Sequence, residues 1–332
     1  MFAGASPTGV LTAGPPRALP ELVPVSRRGP LLRPARGASP ELGTFGLDLT
    51  AGCGHGCAFC HIRGSQLFPG EGRVLFDPGT AARLAATLDG MDRLPGLVVL
   101  SPTSDPLPFQ REIREEAIRV VRILLDREID VALVTRGRVP RELVTLLAEH
   151  PDRVRVAVGI TTLGRHLSRL LEPRAAAPGS RLRGLARLIE AGVPVEARLE
   201  PLIAGLTDTR ENLKPLFAGL ARAGVRRVVA HYLFQHPAML ETLTEALAPL
   251  GLAERLVDDY QGGPVFAVGS LGPTKHLPLD ARREGFARVF AWGAEHGLIV
   301  ETGAAQNPDF HRGGPEYLKT PLTDRKVALS RA

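Results

Sequence analysis

All three cysteines of this 332-residue chain fall inside GCGHGCAFCH, from Gly52 to His61. That concentration constrains the chain more than any other feature. Three thiols make a poor disulfide framework, because an odd number leaves one over. Thiolates packed this closely suit a soft or borderline metal instead. The spacing is Cys53-x3-Cys57-x2-Cys60. One reading is a cubane iron–sulfur cluster of four irons, in which three cysteines leave one iron open to a small molecule. Gly52, Gly54 and Gly56 suit it, since they allow positive φ and bring backbone N–H groups near thiolate and sulfide. The other reading is zinc, held by the three cysteines and either His55 or His61. Zinc sites usually draw their ligands as two separated pairs, and this chain has no second pair of cysteines.

The rest of the composition describes a folded protein. It is 44% hydrophobic and 23% charged, enough to bury a sizeable core. No apolar run reaches the roughly 20 residues of a membrane span. The first residues carry Arg and Pro but no continuous apolar stretch, so no secretory signal is expected. The reading is a cytoplasmic protein with reduced thiols and no membrane partner. A net charge of +6 fits an anionic substrate, a nucleic acid, or simply a solvated basic surface.

Residues 1–43 are rich in Pro, Gly and Arg and show neither a helical nor a strand period. They read as an irregular N-terminal arm. From Phe45 the pattern becomes regular. FGLDLT, GLVVLS, IDVALVT, RVRVAVGI, VPVEARLEPL and VRRVVAHYLF read as strands. Between them lie helical patterns such as REIREEAIRVVRILLDRE, with Ile113, Ala117, Val120, Val121 and Leu124 on one face. Strands this apolar predict a parallel sheet covered by helices. The fold class is therefore α/β, a partial (β/α)6 parallel barrel over residues 44–235. Residues 236–332 form a mostly helical C-terminal extension, with LIVET a candidate last strand. In such barrels chemistry gathers at the C-terminal ends of the strands. The cysteine loop follows the first strand and SPTSD (101–105) the second. Arg136 follows the third, Thr161 and Thr162 the fourth, and Glu200 lies at the end of the fifth.

C-x3-C-x2-C after the first strand, with aromatic Phe59 directly before the third cysteine, resembles the radical S-adenosylmethionine (radical SAM) superfamily. The blocks GCGHGCAFCHIR, SPTSDP, VTRG, ITTLGRHLSRLLEPRAAAPGSRLRGLARLIEAGVPV and PLIAGLTD, over roughly residues 45–235, resemble its spore photoproduct lyase-like branch, related to DNA repair photolyases. The resemblance implies a 4Fe-4S cluster on Cys53, Cys57 and Cys60. It implies S-adenosylmethionine chelating the open iron through its amino and carboxylate groups. One electron, from a donor of flavodoxin or ferredoxin type, would cleave it reductively to a 5'-deoxyadenosyl radical that takes hydrogen from a substrate. Phe59 would then lie near the adenine and Ser104 at the methionine end of the cofactor. Arg136 stands where the lyases have a lysine, a change that keeps the charge but alters the geometry. Thr161 matches a serine of the lyases, and Glu172-Pro173 matches a landmark with an expected structural role.

Three departures from the branch matter. The lyases carry a hydrogen-donating cysteine two residues before the SPTSD serine, and here that place is Pro102. Asp48 and Thr50 stand where the branch more usually has Asn and Tyr. Tyr232 and Tyr260 are the remaining candidate hydrogen donors. The substrate is open among DNA, a peptide and a small metabolite. The reading from a different class is a zinc-stabilised nucleic-acid-binding protein, based on the net charge and the Arg-rich arm.

Overall fold

The apolar runs become neighbouring strands because each is too hydrophobic to leave a face in water. The computed structural model describes residues 18–34, 43–267, 272–303, 307 and 309. Much of the Pro/Gly/Arg-rich arm and the end of the C-terminal extension lie outside the described residues. The elements begin with β1 (Glu21–Pro24), β2 (Arg33–Pro34), β3 (Thr44–Leu47), β4 (Thr50–Ala51) and β5 (Arg73–Phe76). Strand and helix then alternate through α1 (Thr80–Asp89), β6 (Leu97–Leu100), α2 (Arg111–Asp126), β7 (Asp130–Thr135), α3 (Arg141–Ala148) and β8 (Val154–Gly159). Two helices follow, α4 (Arg165–Leu171) and α5 (Pro178–Glu190), then β9 (Val195–Leu202), α6 (Arg210–Arg222) and β10 (Arg227–Tyr232). The chain continues through α7 (Pro237–Leu247), α8 (Arg255–Asp258), the hairpin β11 (Val265–Ala267) and β12 (Pro273–Lys275), α9 (Leu279–Ala294) and β13 (Ile299–Glu301).

The main sheet has eight strands in the order β13-β10-β9-β8-β7-β6-β3-β2. Every neighbouring pair is parallel except β2 with β3. Side chains alternate across it. Val98, Leu100, Val131, Leu133, Val156, Val158, Ala197 and Leu199 are at most 2% exposed and join the core. The opposite face carries Val134, Arg155, Glu196 and Arg198, which are less buried. This is the partial α/β barrel that the strand pattern predicts.

Two features depart from the pattern. The N-terminal arm holds β1, parallel to β5, and β2, the antiparallel edge of the main sheet. Both are short, Pro-containing and poorly buried, so they carry no strand period. The C-terminal extension adds the β11–β12 hairpin to its helices, and its LIVET segment forms the expected last strand. β13 adds a seventh parallel strand against β10, with Arg227 Nη2 2.8 Å from Glu301 Oε2 across the pair. Among the described residues no helix is long and apolar enough to cross a membrane.

Candidate active site

The cysteine loop runs from β4 to a single 3-10 turn, His61–Gly64. Its backbone is held from several sides. Ala58 N donates to the Leu171 carbonyl at 2.8 Å, and Thr242 Oγ1 donates to the Ala58 carbonyl at 2.9 Å. Arg174 Nε donates to the Gly54 carbonyl at 3.0 Å, and Arg63 Nη1 to the carbonyls of Cys57 and Cys60 at 2.7 and 3.3 Å. Gly56 needs to be glycine twice over. Its φ is +62°, and a Cβ there would stand 2.2 Å from Arg174 Nη2.

Cys53, Cys57 and Cys60 line one cavity, together with Ile62, Arg63, Phe68 and Arg174. Burial pushes all three thiols above the ordinary thiol range. For Cys57 the nearby Glu172 carboxylate adds to that push. Thiols in this state become thiolates when a bound cation compensates the charge.

Neither histidine of the zinc reading converges with the thiols on one point among the described residues. His55 is 2% exposed, with Nδ1 3.2 Å from the Arg174 carbonyl and Nε2 3.0 Å from Asp105 Oδ2. The His61 ring lies 5.8 Å from that of Phe234, centroid to centroid. Among the described residues no three His, Cys, Asp or Glu side chains converge as the ligands of a single ion. A tetrahedral zinc would draw its ligands to within about 2.3 Å of one point.

The strand ends bring the remaining residues around this loop. Asp105, 6% exposed, joins three of them. Its Oδ1 accepts from Leu107 N (2.8 Å) and Thr135 Oγ1 (2.7 Å). Its Oδ2 accepts from Arg136 N (2.7 Å) and faces His55. Burial pushes this carboxyl up, but His55, the Arg136 N–H and the Thr135 hydroxyl outweigh it and hold it below the usual range. Asp105 directly precedes Pro106, a local setting that by itself gives it a turn-forming role. It shapes the turn and also ties the cysteine loop to β6 and β7.

Arg136 is not a surface residue. Its Nη1 donates to Glu172 Oε1 at 2.6 Å, its Nη2 to the Glu200 carbonyl, and its guanidinium carbon lies 5.0 Å from the centre of the Phe59 ring. Phe59 and Arg136 are thus brought together. Glu172 is fully buried between Arg136 and Arg181, and Arg181 also donates to the carbonyls of Gly159 (2.7 Å) and Ala176 (2.8 Å). Burial pushes the Glu172 carboxyl up, and the two guanidiniums more than cancel that.

The paired threonines separate in role. Thr162 Oγ1 accepts from Gly164 N at 2.9 Å, a local backbone bond. Thr161 is 1% exposed, and its Oγ1 is buried with no hydrogen-bond partner. Ser104 Oγ is in the same condition. Tyr232 and Tyr260 are committed elsewhere: their hydroxyls donate to Asp208 Oδ2 (2.8 Å) and the Leu233 carbonyl (2.6 Å). Burial pushes both phenols up. Pro102 is exposed and packs towards Gly46. Glu200 has its carboxylate 3.1 Å from His231 Nε2 and 3.4 Å from Arg198 Nη1.

Three residues near the loop escaped the sequence reading: Arg63, Arg174 and Gln110. Arg63 follows Cys60 by three residues, a short-range signal that was available. Gln110 immediately precedes a helix, where Ser, Thr, Asp or Asn would be the usual choice. Arg174 reaches Gly54 across 120 positions, and nothing local announces it.

The model of the family described as "Radical SAM superfamily" matches residues 47–216. The chain is 27% identical over 262 residues to the uncharacterized protein ORF301 of Acidianus two-tailed virus, covering 71% of this chain and 85% of that one. Its fold is similar to that of a cysteine-to-serine mutant of spore photoproduct lyase, with a TM-score of 0.64 and 13% identity over 89% of each chain. A double mutant of the same lyase with bound AdoMet and dinucleoside spore photoproduct gives a TM-score of 0.63 and 16% identity, over 84% of this chain and 81% of that one. The family match takes in just over half of the chain and includes the cysteine loop, the SPTSD turn, Arg136, Thr161 and Glu200. The chain belongs to the radical SAM superfamily.

Proposed function

We propose that the protein is a radical SAM enzyme of the spore photoproduct lyase-like branch, with Cys53, Cys57 and Cys60 as the cluster ligands and no lyase-type hydrogen donor. Membership of the superfamily brings a 4Fe-4S cluster and S-adenosylmethionine as cofactors. When bound, the cluster supplies the electron for reductive cleavage of S-adenosylmethionine.

One observation carries the assignment of the cofactor site. Ser104 Oγ and Thr161 Oγ1, at the ends of β6 and β8, are buried with no partner in the protein. An unpaired buried hydroxyl costs about 1–3 kcal/mol, and native structures tolerate few of them. Two such groups at the sheet end that holds three thiols fit a polar ligand that would pair them. In this reading Ser104 and Thr161 bind the cofactor and Phe59 packs near its adenine. Arg136 places a positive charge beside it, held in position by Glu172. The single-ion zinc reading lacks a comparable fit, because both candidate histidines have other neighbours.

Arg136→Ala is expected to weaken S-adenosylmethionine binding at least tenfold while the iron content stays near wild type, since Arg136 is not itself a thiol ligand. Isothermal titration of the reconstituted protein measures this. Unchanged affinity would assign Arg136 to holding Glu172 alone.

The absence of a donor at Pro102 separates this chain from the lyases. Proline offers no thiol hydrogen, the three cysteines are assigned to iron, and the Tyr232 and Tyr260 hydroxyls are bonded within the core. The partners in this reading are an electron donor of flavodoxin or ferredoxin type and a substrate whose class is open, nucleic acid included. Incubation with dinucleoside spore photoproduct, S-adenosylmethionine and dithionite tests the reading. The expected result is 5'-deoxyadenosine without efficient conversion of the photoproduct to thymine. Clean multiple-turnover repair by the wild type would overturn it.

A further inference from the structure

Gln110 occupies the N-cap position of α2 with extended backbone, φ −67° and ψ 123°. A side chain there normally accepts from a backbone N–H of the first helical turn. Gln110 makes no such bond. Its carboxamide lies instead against the cysteine loop. A Cβ on Gly54, the residue after Cys53, would stand 2.4 Å from Gln110 Oε1 and 2.8 Å from Nε2. The residue is 8% exposed, and both amide atoms are buried without a hydrogen-bond partner.

Simple packing does not account for this. A leucine would fill much the same space without desolvating an amide. A carboxamide unpaired at both ends is uncommon in a native interior, so the position suits a partner that arrives with the bound group. The surroundings favour a negative one. α2 is 16 residues long, and its N-terminal end carries the partial positive charge of unpaired first-turn N–H groups. The loop it meets carries three thiols that become thiolates on binding metal.

We infer that the Gln110 amide donates a hydrogen bond to the sulfur-ligated cluster on the Cys53 side of the loop and raises its reduction potential. Reduction adds negative charge to the cluster. A donor next to sulfur therefore stabilises the reduced state more than the oxidised one. Gln110 is on this view a tuning residue, and Gly54 is small so that the amide can approach.

The inference rests on the cluster assignment above, and the test separates the two. Wild type, Gln110→Leu and Gln110→Glu are reconstituted anaerobically, assayed for iron, and titrated with the cluster signal followed by electron paramagnetic resonance. Wild-type protein that takes up no iron would remove the cluster assignment itself. With iron bound, Gln110→Leu is expected to retain the cluster and shift its reduction equilibrium about tenfold towards the oxidised form, or 59 mV for one electron. Gln110→Glu, which keeps the shape but places a carboxyl there, should shift it at least as far in the same direction. A Leu variant with the wild-type potential overturns the inference. If the Leu variant does not fold, the Glu variant decides alone, and a wild-type potential in it is equally fatal.

Discussion

Cys57→Ala is expected to leave the protein without its cluster. A three-thiolate site has no spare ligand, and loss of one removes both a bond to iron and the charge that balances it. His55 cannot step in, since Asp105 and the Arg174 carbonyl already flank its two ring nitrogens. His61 packs against Phe234. Iron and sulfide analysis after anaerobic reconstitution should therefore fall to background, and formation of 5'-deoxyadenosine with it. The buried thiol is replaced by a small apolar group, so the apo fold should melt like wild type. Iron content equal to wild type would show that Cys57 is a packing residue.

Glu172→Gln has the next largest expected effect, on stability. Glu172 is fully buried and faces two guanidiniums, Arg181 at 0% and Arg136 at 18% side-chain exposure. Removing one partner of a buried ion pair costs about 3–5 kcal/mol, because it strands the charge that remains. An exposed pair would cost about 0–1 kcal/mol. Urea unfolding of the apo protein at neutral pH distinguishes these, and a loss under about 1 kcal/mol would remove Glu172 from its bridging role. The pH dependence has a definite sign. The folded carboxyl is held below its ordinary value of 4.5. Its contribution is therefore complete above that value and lost as pH falls through the folded one. The gap between wild type and Glu172→Gln should narrow in acid.

Both predictions involve residues that the sequence exposed in different degrees. The three cysteines were legible because their spacing is local and their number is small. The six central strands were legible because fully buried parallel strands are written as continuous apolar runs. β1 and β2 were not legible, and β13 was legible only as the candidate strand LIVET. They are two to four residues long, lie at sheet edges and carry exposed charged residues such as Glu21, Arg33 and Glu301. Periodicity has little to act on in so short a span.

The limit in the site is sequence distance. Arg136 was visible at a strand end, and Glu172 as a family landmark. Their pairing spans 36 positions, and only the folded sheet brings them together. The same holds for His55 with Asp105 and for Gln110 against Gly54. Asp105 shows the cost of local reasoning. Read beside Pro106 it is a turn residue, and in the fold it is also the acceptor that joins β6, β7 and the cysteine loop.

The most direct test of the central claim is a single incubation. Anaerobically reconstituted wild-type protein is mixed with S-adenosylmethionine and dithionite, and the products are separated and quantified for 5'-deoxyadenosine. The account predicts 5'-deoxyadenosine that depends on iron, on reductant and on Cys53, Cys57 and Cys60. Protein replete with iron that yields none, or a colourless protein carrying one equivalent of zinc, would contradict it.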